Sequence, residues 1–319
     1  MGLLLFAFVA FLLLTLVSGG YIFFVACRKR DMDWLDEVAV AKTPNAQYYP
    51  FMLATDQWLR DHDAQGVYTI SDDNIRLEAL WIPARNSRGT VLMAHGYRST
   101  MLLDFHLPFQ LFHRLGLNIL VPYQRTHGSS GGKYITFGVK ESMDMQCWIH
   151  YHNAHFSQQP IILYGISMGA STMLYLADRV LPENVKGIIA DCGFTSPMEI
   201  IESVYRRVLG LPPLLSVRTA NLFARIFAGV SFTENDTRKN LAKTNLPVLL
   251  IHGGDDHFVP CDMSQQAYNA CNSKKKILIV DGAEHGLSFL TDGFAYTTHV
   301  IDFLKENIPD FSVPDDARD

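Results

Sequence analysis

The sequence has no Cys-x-x-Cys pair, no internal repeat, no low-complexity run and no excess of basic residues. Each absence removes a class of protein. Its five cysteines (Cys27, Cys147, Cys192, Cys261 and Cys271) are scattered and odd in number. Such a set argues against a disulfide framework and fits a reducing compartment. A formal net charge of −5 gives no electrostatic reason to expect a nucleic-acid partner. What remains is a chain of 319 residues, a length that one large α/β domain often occupies.

Charge is also missing from Leu3 to Ala26, where almost every residue is apolar. A helix over these residues spans about 36 Å, enough to cross a hydrocarbon core of about 30 Å with some tilt. The opening "MGLLLF" has no Lys or Arg, which argues against a cleaved secretory signal and against acylation of Cys27 after "FVA". Phe6 stands where a myristoylation signal needs Ser or Thr. Residues 1–30 are therefore expected to be a single-pass membrane anchor with a basic flank. That flank, Arg28-Lys29-Arg30, follows the apolar stretch directly and predicts that the rest of the chain lies on the cytoplasmic side.

A polar connector with short helical pieces, among them "PFMLATDQWLRDH", is expected over 31–67, and a regular pattern follows it. Strand-like apolar runs occur at "IRLEALWIPA", "TVLMAHG", "NILVPYQ", "IILYGIS", "VKGIIADCG", "PVLLIHGG" and "KKILIVDG". Helix-length segments separate most of them, at 101–115, 138–153, 169–181, 262–272 and 294–307. This alternation predicts a mostly parallel sheet covered by helices on both faces. Residues 196–235 interrupt the rhythm with two amphipathic segments divided by Leu211-Pro212-Pro213.

In open sheets of this kind, function gathers at the carboxyl ends of strands. One such end reads Gly165-Ile166-Ser167-Met168-Gly169. G-x-S-x-G between a strand and a helix is the pattern of a nucleophile elbow, whose glycines avoid collision between strand and helix. Three other strand ends carry His95-Gly96-Tyr97, Asp255-Asp256 and His285. Serine, acid and histidine in that chain order form the triad sequence of α/β hydrolases.

On "HGYRST", "RTHGSSGG", "GISMGAS", "HGGDDHFVP" and "GAEHG", residues 68 to 308 resemble the α/β-hydrolase superfamily. More narrowly they resemble membrane-anchored bacterial hydrolases related to serine aminopeptidases and monoacylglycerol lipases. The resemblance implies an α/β-hydrolase domain over 68–319, with a helical lid at 196–235. It implies Ser167 as nucleophile, His285 as general base and Asp256, three residues before Val259-Pro260, as the acid, with Asp255 as its competitor. Backbone N–H groups of Tyr97 and Met168 would form the oxyanion hole. Thr126 departs from the glycine usual in the second motif, which puts the local turn geometry in question.

The apolar face of the lid, which includes Phe223 and Phe227 as expected substrate-binding residues, either covers an acyl or aromatic pocket or packs on the sheet as surface structure. His127 and Gly128 are expected to shape a turn beside the site, and His257 is a candidate for the pocket or a surface loop. His150, His152 and His155 do not share one helical face, and no metal or cofactor is expected. The function implied is cleavage of esters or related acyl bonds in a small-molecule substrate through an acyl-enzyme. A serine peptidase and a non-catalytic membrane-tethered scaffold are the alternatives.

Overall fold

The computed structural model describes residues 1–30, 33–156, 158–210, 212–213 and 215–314. Its strands are β1 (Gln65–Ile70), β2 (Arg76–Ile82), β3 (Thr90–Ala94), β4 (Asn118–Pro122), β5 (Ile161–Ile166), β6 (Val185–Asp191), β7 (Val248–Gly253) and β8 (Lys275–Val280). They form one sheet in the order β1-β2-β4-β3-β5-β6-β7-β8. β2 runs antiparallel to β1 and β4, and every other pairing is parallel. β3, β4, β5 and β7 are buried along their whole length, which explains why they read as unbroken apolar runs. The expected α/β-hydrolase architecture is present.

β1 is an additional edge strand. Tyr68 and Ile70 are exposed, and the Arg76 guanidinium lies 4.2 Å from the Tyr68 ring centre. A half-wet edge carries no apolar run, so β1 is absent from the predicted strands. The helix Tyr49–Asp61 likewise belongs to the body: Met52, Thr55 and Leu59 are buried, and Trp58 stacks on Phe109 at 5.6 Å. The segment 31–67 is thus a connector only in its first part. Apolar residues lie on the helix's exposed side too, Phe51 and Leu53 beside buried Met52, so the sequence does not mark which face packs.

Two apolar clusters fill the two faces of the sheet. A third lies beyond the strands' carboxyl ends, and joins Phe23 and Cys27 to Met168, Ile200, Ile201, Val217, Ala220 and Val259. The N-terminal helix Gly2–Cys27 enters the body through this third cluster. Gly2 to Leu14 is exposed, whereas Thr15, Gly19, Gly20, Phe23 and Cys27 are buried. By length and composition this helix is apolar enough to cross a membrane. Its buried face packs on the second lid helix, Ser216–Phe223, which continues as a π-helical turn over Ala224–Ala228.

Candidate active site

β5 ends at Ile166 and the next helix begins at Met168, so Ser167 alone makes the turn. Its φ of 56° and ψ of −119° lie in a region costly for a residue with a side chain. Glycines on both sides make the turn feasible. A Cβ on Gly165 would strike the Gly169 and Ala170 backbone, and one on Gly169 would strike the Ala94 carbonyl in β3. The Ser167 N–H donates to Asp191 O at 2.8 Å, which ties the turn to β6.

Ser167 Oγ lies 2.9 Å from His285 Nε2, and His285 Nδ1 lies 2.6 Å from Asp256 Oδ2. Asp256 and His285 come from the loops after β7 and β8, so three strand ends meet at one point. The Asp256 carboxyl is buried, which alone would raise its pKa. Hydrogen bonds from His252 and His285, with the Val259 N–H, outweigh that and hold it well below the usual carboxylate range. Its Oδ1 accepts the N–H groups of Phe258 and Val259 at 2.7 and 2.8 Å. Asp255 is exposed, and among the described residues its carboxylate makes no hydrogen bond to this network. The arrangement is able to take the Ser167 proton onto His285 beside a fixed negative charge.

The loop after β3 is clamped from two directions. Half-buried Asp104 accepts the Gly96 N–H at 2.6 Å and the Ser99 hydroxyl at 2.5 Å. His127 Nε2 accepts the Arg98 N–H at 3.0 Å, so His127 shapes the turn beside the site as expected. His95 is buried, with Nε2 accepting the Gln124 N–H at 3.1 Å; burial lowers its pKa to about 3 and keeps the ring neutral. These bonds leave the N–H groups of Tyr97 and Met168 without a partner among the described residues. The side chains of this loop reach the N-terminal helix: Tyr97 Oη donates to Ala26 O at 2.7 Å, and Arg98 Nη2 donates to Val25 O and Arg28 O. Thr126, at φ of 69°, occupies a left-handed turn where glycine is easier.

A cavity of about 300 Å³ opens beside Ser167 and His285. Its apolar walls include Tyr48, Phe51, Leu107, Phe258, Leu287 and Leu290. Phe223 and Phe227 are not among them, which corrects the expectation that they line the pocket. They face the N-terminal helix instead, with ring centres 6.4 and 6.0 Å from Phe23. Helical periodicity marks a buried face without saying what buries it, and here an apolar helix takes the place assigned to substrate. His257 is exposed, and its neighbour Phe258 is the one that meets the His285 ring, at 4.9 Å.

Sequence reasoning also missed His252, whose Nε2 lies 3.2 Å from Asp256 Oδ2 and 3.0 Å from Val259 O. With two oxygens facing it, Nε2 is the ring nitrogen placed to donate, and it meets the same carboxylate oxygen as His285. A histidine inside the apolar run "VLLIHG", four residues before the acid, is the signal that was available. Cys192, Asp256 and His285 bring ligand-type atoms within 4.8 Å of one another. Burial holds the Cys192 thiol protonated, and Asp256 and His285 already bond each other, so this donor set suits proton transfer better than a metal. His152 instead bonds Thr90 Oγ1 at 2.8 Å, and His155 bonds Tyr151 O.

Similar proteins share this frame. YqkD of Bacillus subtilis is 28% identical over 226 residues, 70% of this chain and 73% of that protein. YfhR of Escherichia coli K12 is 24% identical, covering 82% of this chain and 86% of its own. A Saccharomyces cerevisiae relative described as a membrane protein is 27% identical over 74% of this chain and 78% of its own. Among solved structures, the Pyrococcus furiosus esterase Pf2001 superposes with a TM-score of 0.64 at 23% identity, covering 78% of this chain and 95% of that one. Est1E of Butyrivibrio proteoclasticus, solved with ferulic acid, gives 0.58 at 20% identity over 76% and 99%. The family model for the alpha/beta hydrolase fold matches residues 89–229, through the elbow. The model for serine aminopeptidases matches 213–291, through the acid loop and His285. With the fold and both halves of the site thus matched, the chain belongs to the α/β-hydrolase superfamily and is related to the serine aminopeptidases.

Proposed function

We propose that this protein is a membrane-anchored serine hydrolase that cleaves ester or related acyl bonds. The observation that carries the reading is the unbroken chain from Ser167 Oγ through His285 to buried Asp256. In this reading His285 takes the Ser167 proton as Oγ attacks the acyl carbon, and the carbonyl oxygen becomes an oxyanion. The Tyr97 and Met168 N–H groups receive that charge; one such donor is worth about 3–4 kcal/mol of transition-state stabilisation. His285 then returns the proton to the leaving group, and water repeats the sequence to free the enzyme. Asp256 holds the imidazole in its tautomer and His252 holds Asp256.

The mainly apolar cavity supports an acyl or aromatic substrate group. The name of the Pyrococcus neighbour, an esterase, and the ferulic acid seen with Est1E agree with ester chemistry. The serine-aminopeptidase match over 213–291 favours a second reading, hydrolysis of a short peptide or amino-acid amide. A fluorophosphonate probe tests both, since it needs an activated serine and no known substrate. Labelling is expected on the parent protein and lost in a folded Ser167→Ala variant; labelling that survives this substitution removes Ser167 as nucleophile. Turnover of nitrophenyl esters against aminoacyl nitroanilides then separates esterase from peptidase.

For the anchor, the N-terminal helix and the basic residues after it support a single span with the hydrolase body on the cytoplasmic side. Retention in carbonate-washed membranes and resistance to protease added to intact cells are the expected outcomes. Digestion from outside reverses the orientation, and release into the wash removes the anchor.

A further inference from the structure

The second lid helix and the N-terminal helix run in the same direction. Ser216 Oγ lies 2.8 Å from Ser18 Oγ, Thr219 and Ala220 abut Gly19, and Phe223 abuts Gly20. Small residues that let two backbones approach are the usual contact of paired helices inside a bilayer. The register also sets a depth. Ser18 stands nine residues before Cys27, about 14 Å along the axis, close to the roughly 15 Å of hydrocarbon in one leaflet. The start of the second lid helix thus lies about two-thirds of the way along the apolar stretch, roughly one leaflet's depth from its end.

The surface around this pair is apolar and uncovered. Leu215, Leu222, Ile226 and Phe227 are exposed on the lid side, as are Val208 and Leu209 at the end of the first lid helix, Pro197–Leu209. Leu16, Val17, Tyr21 and Phe24 are exposed on the N-terminal helix, and a Phe24–Phe227 contact of 5.5 Å joins the two sets. No charged residue occurs from 208 to 217. Exposed Arg206, Arg207, Arg218 and Arg225 flank the patch. An apolar surface continuous with a span and rimmed by arginines fits acyl chains below anionic headgroups.

We propose that the lid does not close over substrate but enters the bilayer: the ends of its two helices and the outer face of the second sit in the same leaflet as the N-terminal helix. The body is then held by one span plus a half-inserted apolar hairpin. This inference rests on reading the N-terminal helix as a span.

The test uses the full chain in phosphatidylcholine–phosphatidylglycerol vesicles containing a lipid with a diazirine in its acyl chain, with adducts mapped after photolysis. Adducts are expected on the N-terminal helix and on peptides containing Val208–Leu209 and Leu222–Phe227. The peptide with exposed Val180, before β6 at the amino ends of the parallel strands, is expected to stay unlabelled. Adducts on the N-terminal helix alone overturn the hairpin and leave the span standing. Adducts on neither overturn both, and equal labelling of the Val180 peptide overturns any specific insertion. Because Leu222 and Ile226 are exposed, the double variant L222E/I226E should keep its fold and its probe reactivity while losing the hairpin adducts. Hairpin labelling unchanged in that variant overturns the proposal.

Discussion

Backbones approach closely at two places in this molecule, and glycine permits it at both. In the crevice, Gly165 and Gly169 let β5, β3 and the helix after Ser167 meet. At the lid, Gly19 and Gly20 let the N-terminal helix lie against Ser216–Phe223. The surroundings differ. Crevice atoms are fixed by charge-assisted hydrogen bonds to Asp104 and Asp256 and by strain at Ser167, with nothing able to yield. The helix pair has apolar and hydroxyl contacts and an exposed outer side, so it is expected to part more easily than the crevice. Close approach fixes a reactive geometry only where polar partners lock it.

The crevice should therefore break sharply and the helix pair by degrees. The largest expected effect is on turnover. Asp256→Asn should lower kcat by about ten-thousandfold, because His285 loses the partner that selects its tautomer, while Asp255→Asn stays near the parent rate. Equal losses would dissolve the distinction between the buried and the exposed aspartate.

Gly169→Ala comes next. Its methyl group meets the Ala94 carbonyl in the central sheet, so a destabilisation of about 3 kcal/mol or more is expected in thermal or denaturant unfolding. Gly19→Ala meets Thr219 and Ala220 instead, and should expose the lid helices to limited proteolysis while the body's melting point holds. Matching shifts in body stability would show that the two approaches are alike after all.

Buried Asp191 gives the crevice a pH signature. Burial pushes its pKa up to about 6 from the ordinary 3.8. A raised folded pKa means that the neutral carboxyl's contribution is full below pH of about 4 and is lost as pH rises through 6. Asp191→Asn removes that loss, so its Tm advantage should grow from pH 4 to pH 7, by up to about 3 kcal/mol of stability. A difference independent of pH would remove the assignment.

Smaller still is the effect of Phe223→Ala with Phe227→Ala. Since these rings face Phe23 and Phe24, preference between short and long esters should stay as in the parent, while the N-terminal helix becomes more accessible to protease. A changed chain-length profile would return the lid to the pocket. Thr126→Gly is the least: relief of the left-handed turn against added chain entropy should leave a net change within about 1 kcal/mol.

The parallel strands and the turn at Ser167 were legible in the sequence because each has a local cause, whereas Asp256 rather than Asp255, and His285 as base, came with the family resemblance. Buried strands must be apolar, and the elbow needs its glycines. What escaped notice is set by distant partners. β1 shows little apolar pattern because it is wet on one side, and the helix Tyr49–Asp61 is legible as a helix but not as one that packs on the body. His252 reads as one polar residue in a strand until the fold turns it toward Asp256. Phe223 and Phe227 were expected to line the substrate pocket, but their partner is Phe23, some 200 positions away, a pairing that periodicity cannot name.

Tyr97 and Arg98 grip the carbonyls of Val25, Ala26 and Arg28, the last turn of the N-terminal helix. In the proposed mechanism Tyr97 also supplies a backbone N–H to the oxyanion, and Arg98 Nε has no hydrogen-bond partner among the described residues. The tether is thus also a buttress. A protein shortened past residue 28 to make it soluble would lose those acceptors, and its loop would be free to drift by the few tenths of an ångström that oxyanion geometry does not forgive. Kinetic constants measured on such a fragment would describe an enzyme with its scaffolding taken down.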